Sequence, residues 1–281
     1  MLNHCRYFYN EYTERFHIYS TPPMSWLALP DLLLVLSLGA ALGFFGGLFG
    51  IGGGIIAVPL FIIGFGMDQA LAQGTALVLM VPNLLIGWWR YNQHHKLPRL
   101  AVAAIGITAT VTTWLTAKLA VQLDQDVLHW IFNLFILAVG LRMLLLRKNP
   151  SASANNSDQP RTATMPIVGI LGGTSMGLLG MGGGLVATPM LTTVFKHTQT
   201  TAQALSLALV APSSVMALST YANAHRVNWE LGLPLAFGGL FTVSAGVAIA
   251  HYLPEKALRR SFAAVMIIAA FWLILQSLHT H

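Results

Sequence analysis

Charge is what this sequence is short of. Asp, Glu, Lys and Arg make up 9% of its 281 residues, where a soluble domain carries about 25%. So few charges cannot solvate a globular surface. Cysteine is nearly absent too: Cys5 stands alone, which excludes an intrachain disulfide. No carboxylate lies in the middle of an apolar run, because Asp31, Asp124, Asp126, Glu230 and Glu255 all fall near segment ends. Intramembrane carboxylates are the usual cation sites and proton relays, so their lack disfavours a cation transporter or a carboxylate-based pump. There is no His-Glu-x-x-His string, and no glycine run is followed by the Lys-Ser/Thr of a phosphate-binding loop. An enzyme is therefore not expected, nor a cofactor. His94-His95 stands in a basic loop with no Cys or acidic neighbour, so no metal site is expected. His129 and His251, close to segment ends, are assigned no role.

Apolar sequence is abundant instead. Hydrophobic residues make up 55% of the chain. Runs such as Leu32 to Phe49, Leu71 to Trp89 and Val127 to Leu146 reach the ~20 residues that cross ~30 Å of hydrocarbon. The formal charge of +6 would suggest nucleic acid in a soluble chain. Here the cations fall in loops, where they orient the protein and meet anionic lipid. The expected partners are thus the bilayer and a small substrate, not nucleic acid. A homo-oligomer is allowed, and nothing requires one.

The chain divides into a polar tail (1–23), a first membrane repeat (24–147), a linker rich in Ser, Asn and Pro (148–164) and a second membrane repeat (165–281). The tail lacks the basic start, apolar core and cleavage site of a signal peptide. Met24 opens a stretch that would itself suit the start of a membrane protein, so the tail is expected to be peripheral. The repeat is visible in one register. Gly50 and Gly180 lie 180 − 50 = 130 positions apart. The same offset pairs Gly52, Gly53 and Gly54 with Gly182, Gly183 and Gly184, and Pro59 with Pro189. It also pairs Gln73 with Gln203, Pro82 with Pro212, Tyr91 with Tyr221 and His95 with His225.

Asp31 to Phe65, taken as one helix, would be roughly 50 Å long, too long for one crossing. It reads as a hairpin with the glycine run at its tip, as does Met165 to Phe195. A hairpin plus three further helices turns each half over relative to the other. The expected fold is an all-α polytopic membrane protein of two homologous halves, arranged as inverted repeats, with about eight full spans, or about ten counting hairpin arms. This threading places Arg90, Lys96, Arg99, Arg147, Lys148, Arg161, Lys196, Lys256, Arg259 and Arg260 inside, and Asp124, Asp126 and Arg226 outside, as the positive-inside rule requires.

Small residues let helix backbones approach, which accounts for Gly43, Gly46, Gly47, Gly173 and Gly177. Three glycines in succession strip every face of a helix at once, at a cost of about 1 kcal/mol each against Ala. Their natural use is to break the helix. The helices restarting after Gly54 and Gly184 then carry partial positive charge and unpaired N–H groups at their N-termini. Two such ends buried in a bundle form an anion site without a formal charge. The candidate substrate-binding residues are Gly52, Gly53, Gly54, Gln73, Thr75, Gly182, Gly183, Gly184, Gln203 and Ser206, with Asn83, Ser213 and Ser214 in the same spans. Gly53→Ala or Gly183→Ala is expected to impair function more than Gly43→Ala. Interhelical hydrogen bonding is the competing reading for the polar side chains. A non-transporting membrane scaffold is the competing reading for the whole chain.

Gly47-Leu48-Phe49-Gly50-Ile51-Gly52-Gly53-Gly54 followed by Ile55-Ile56-Ala57-Val58-Pro59 resembles the signature of the sulfite exporter TauE/SafE family. Gly177-Leu178-Leu179-Gly180-Met181-Gly182-Gly183-Gly184 followed by Leu185-Val186-Ala187-Thr188-Pro189 repeats it. Gln73-Gly74-Thr75-Ala76-Leu77 is similar to a Gly-Thr-Ser-Leu stretch that often follows, with Ala76 in place of Ser. The resemblance covers roughly residues 31–278. It implies a multi-pass permease of the cell inner membrane that carries sulfite or another small organosulfur anion such as a sulfonate. Membrane potential alone could then drive export.

Overall fold

The computed structural model describes residues 29–49, 53–94, 99–145, 165–181, 183–193, 195, 199–250, 261 and 264–273. The tail 1–23, the linker 148–164, Gly52 and Gly182 lie outside the described residues. The described residues form helices and short turns. They comprise α1 (Leu29–Phe49), α2 (Gly54–Phe65), α3 (Gln69–His94), α4 (Arg99–Gln122), α5 (Gln125–Leu145), α6 (Met165–Leu179), α7 (Gly183–Thr193), α8 (Gln199–Asn223), α9 (Trp229–Ala250) and α10 (Ala264–Leu273).

Both glycine runs reverse the chain. A methyl group on Gly183 would lie 3.1 Å from the Gly172 carbonyl oxygen. In an unbroken helix, residues 11 apart would stand ~16 Å from each other. Gly53, at φ 84°, likewise sits against the Leu42 carbonyl and the Gly46 Cα. That left-handed φ costs an ordinary L-residue about 1–2 kcal/mol, so glycine is demanded there. Gly180, at φ 63°, plays the same part in the second half.

Two glycine seams hold the halves together. In the first, α1 packs against α9: Gly39 meets the Leu235 backbone, Gly43 meets Gly239, and Gly246 meets Phe44. Thr242 Oγ1 donates across this seam to the Ala40 carbonyl at 2.6 Å. In the second, α6 packs against α4: Gly169 meets Thr108, Gly173 meets Ala109, and Gly177 meets Thr113 and Thr116. Thr113 Oγ1 donates to the Gly173 carbonyl at 3.0 Å. Residue numbers rise together along both seams, so each pair of helices runs in the same direction. The first arm of each half is thus clasped by the fourth helix segment of the other.

Polarity is distributed inside out. Phe241 (74% exposed), Leu134 (68%) and Ile107 (64%) face outward, while Gln73, Thr75, Asn133 and Ser213 are fully buried. This suits a solvent of hydrocarbon, in which polar groups must find partners within the protein. Among the described residues, three helices carry a run long and apolar enough to cross a membrane: Gln69–Ile86, Leu100–Gln122 and Ala204–Asn223. The first and third are mostly buried within the protein, and the second is buried over only a third of its length. So α3 and α8 form the centre, and α4 stands at the periphery.

Candidate functional site

The second turn of α3 carries Gln73 to the tip of the second hairpin. A methyl group on Gly180 would come within 2.9 Å of Gln73 Cβ, so only glycine lets the tip lie this close to α3. Tyr221, near the end of α8, is fully buried. Its hydroxyl donates to Gln73 Oε1 at 2.8 Å and lies 3.2 Å from the Gly177 carbonyl. With Oε1 engaged, Gln73 Nε2 is left buried without a hydrogen-bond partner. An unsatisfied buried donor costs about 1–3 kcal/mol, and the tip beside it leads within three residues into the start of α7.

The rest of this tip is lined from α8. Gly184 faces Ser206, whose hydroxyl oxygen would lie 3.2 Å from a methyl group placed there; Gly183 faces Leu209 and Val210. The backbone of Gln203 belongs to α8, and its side chain lies outside the described residues. The first tip has a different lining. Gly53 is the N-cap of α2 and supplies no side-chain cap, so its carbonyl receives the Ile56 and Ala57 N–H groups. The two N–H groups before these follow helix geometry and point beyond the end. A methyl group on Gly54 would overlap the Met80 sulfur.

Gln73, Ala76, Met80 and Asn83 fall on one stripe of α3, at helical spacing. Asn83 is 8% exposed, and neither its Nδ2 nor its Oδ1 has a partner. The stripe therefore carries unpaired amide groups at both ends. Thr75 is oriented otherwise: its Oγ1 accepts the Asn228 N–H at 3.0 Å, and Asn228 Oδ1 in turn caps α9 by accepting from Leu231 N. Ser213 and Ser214 donate to carbonyls of their own helix and not across to another. Tyr221 is the participant that sequence reasoning passed over. Its pairing with Tyr91 in the repeat register was the available signal.

By letters, Gly173-Thr174-Ser175-Met176-Gly177 also spells a Gly-x-Ser-x-Gly string. It lies inside α6, with Ser175 Oγ donating to the Gly172 carbonyl at 2.9 Å. That is not the strand-to-helix elbow on which such a serine becomes a nucleophile.

A family model described as Sulfite exporter TauE/SafE matches residues 35–273. A probable membrane transporter protein of Xylella fastidiosa is 28% identical over 261 residues, covering 89% of this chain and 98% of the relative. One from Methanocaldococcus jannaschii is 26% identical, covering 89% and 96%. One from Haemophilus influenzae is 27% identical, covering 87% and 98%. No solved structure gives a significant match. With its apolar helices, glycine-broken hairpins and a family match over most of its length, this integral membrane protein belongs to the Sulfite exporter TauE/SafE family of membrane transporters.

Proposed function

We propose that the protein is a permease for a small anion, most readily sulfite or an organosulfonate, that binds where the second hairpin tip meets Gln73. The observation that carries this reading is the buried, unpaired Gln73 Nε2, on a side chain whose Oε1 is held by Tyr221 and whose Cβ lies against Gly180 of the tip that leads into α7. An amide donor and helix N-terminal N–H groups together suit an oxyanion, and a tetrahedral sulfur oxyanion offers several acceptor oxygens to share among them. Asn83 and the α2 N-terminus lie further along the same face of α3 and provide a second polar station. In this reading Gly52, Gly182 and Gln203 remain candidate anion contacts by their place in the sequence repeat, and the anion passes along the α3–α8 interface.

The halves are read as inverted repeats in a multi-pass protein of the cell inner membrane. The common direction of α1 and α9, and of α4 and α6, supports this. Each hairpin reverses the chain, so the first and fourth helix segments within one half oppose each other. A fourth segment running alongside the other half's first arm then fits halves of opposite orientation. The threading also puts the turn after α2, the α4–α5 turn and the α8–α9 turn on one side. In support, Asp68 pairs with Arg226 at 2.9 Å, and the Gln125 side chain accepts the Ala70 N–H at 3.2 Å.

Purified protein in proteoliposomes under an imposed potential should pass sulfite and methanesulfonate. A folded protein that passes neither, nor sulfate, would overturn the permease reading. Single cysteines at Ser151, Gln125 and Asn223 test the threading: an impermeant external reagent should reach the last two and not the first.

A further inference from the structure

The last turns of α4 and α8 stand apart. Further back the two helices come close, where a methyl group on Gly106 would lie 3.4 Å from the Ala208 carbonyl oxygen. At their ends a groove of about 290 Å³ opens between them. Trp114, Lys118 and Gln122 line it from α4, and Thr220 and Asn223 from α8. No acidic residue lines it.

Lys118 is the unusual member. It lies within Leu100–Gln122, a run long and apolar enough to cross a membrane. Val111, Leu115 and Leu119 of the same helix are exposed, so this part of α4 faces outward from the protein. A lysine near the end of such a helix ordinarily extends its charge toward water. Lys118 turns the other way: its Nζ lies 3.8 Å from the centre of the Trp114 ring, one turn back toward the middle of the span. Among the described residues it has no carboxylate partner, the ion pair there being that of Arg226 with Asp68. The face of an aromatic ring attracts a cation but does not neutralise it. A charge held in an apolar span calls for a partner of opposite sign.

We propose that this groove seats the phosphate of an anionic phospholipid. The ends of spanning helices lie at the level of the lipid headgroups, where tryptophan is also favoured. Lys118 supplies the opposite charge, and the exposed amides of Gln122 and Asn223 supply N–H donors. Thr220 adds none, because its hydroxyl already donates to the Met216 carbonyl. Leu115 and Val111, one and two turns further from the end of α4, continue as an apolar track for an acyl chain. A zwitterionic lipid fits less well, since its ammonium finds no carboxylate in the groove. The lipid would bridge α4 and α8 at the level where Thr116 and Ala117 pack against Gly177 of the second hairpin. This site needs only the membrane around the protein, and it stands whether or not the anion reading above does.

The test uses the full chain in detergent, with phosphatidylglycerol and phosphatidylcholine as probes and lipid retention read by native mass spectrometry. The wild type should hold phosphatidylglycerol about fivefold more tightly than phosphatidylcholine, the margin one lysine gives against an anionic headgroup. Lys118→Met keeps the apolar stem and should lose most of that margin, while Lys118→Arg should keep it. No margin in the wild type, or an equal one in Lys118→Met, would overturn the proposal. Glycerol phosphate or methanesulfonate displacing the lipid at equal concentration would overturn it too, because the groove would then take a soluble anion. If Lys118→Met does not fold, the wild type decides alone. A phosphatidylglycerol with a photoreactive headgroup should label residues 114–122 or 220–224, and label found only elsewhere counts against the seat.

Discussion

The glycine seams and the glycine tips use one residue type for opposite ends. Along the seams, Gly43 and Gly173 lie inside unbroken helices and bring backbone against backbone from the other half. At the tips, Gly53 and Gly180 take left-handed φ values and end helices. Removing a seam glycine forces two rigid helices apart. Removing a tip glycine alters the contacts around the hairpin turn. The contrast reverses one expectation from sequence: Gly43→Ala is not a mild control, because a methyl group there would overlap the Gly239 backbone.

The two tips also differ from each other. Both carry the same glycine run, but the first meets the Met80 thioether and the second meets the Ser206 hydroxyl and the Cβ and backbone of Gln73. Ala76 and Met80 stand where the second half has Ser206 and Val210. The second tip is therefore the more polar, and the proposed anion contacts lie there.

The largest effect expected is on a seam. Gly173→Ala would press a methyl group into the Ala109 backbone and should destabilise the detergent-solubilised protein by roughly 3 kcal/mol, seen as a large fall in melting temperature. A small fall would mean that α4 and α6 separate easily. Next comes a tip. Gly184→Ala has an ordinary φ and meets only Ser206 Oγ at 3.2 Å and Val210 at 3.7 Å, so the fold should persist while sulfite flux drops about tenfold, as for ~1.4 kcal/mol of lost binding. Flux that falls only in step with melting temperature would make this glycine a packing residue too. Tyr221→Phe removes the hydroxyl that orients Gln73, at about 1 kcal/mol, and should lower flux about fivefold. Unchanged flux would separate Gln73 from Tyr221. The smallest effect belongs to Gly64→Ala, where the nearest atom is Leu60 Cδ1 at 3.8 Å. It should leave flux intact and raise stability by up to ~1 kcal/mol, which makes it the neutral control that Gly43 is not.

Much of this was legible in sequence because it depends on local spacing. The reversal at each glycine run follows from residues close in the chain, and the candidacy of Gln73 from a register that needs only one half laid against the other. The seams were only half legible. Gly43 and Gly173 announce close packing, but their partners, Gly239 and Ala109, lie in other segments and no periodicity names them. Thr75 shows the same limit, since its engagement by Asn228 links residues 153 positions apart. Tyr221 stayed hidden because a lone aromatic gains meaning only from what it faces, here Gln73 and Gly177.

The central claim is that Gln73 is kept unpaired for the anion and not for the fold. Gln73→Leu tests it with two readings on one sample, sulfite flux in proteoliposomes and melting temperature in detergent. The variant removes a buried unsatisfied amide and leaves the Tyr221 hydroxyl the Gly177 carbonyl, so melting temperature should hold or rise while flux falls at least about tenfold. Flux equal to wild type in a protein of equal stability would contradict the account.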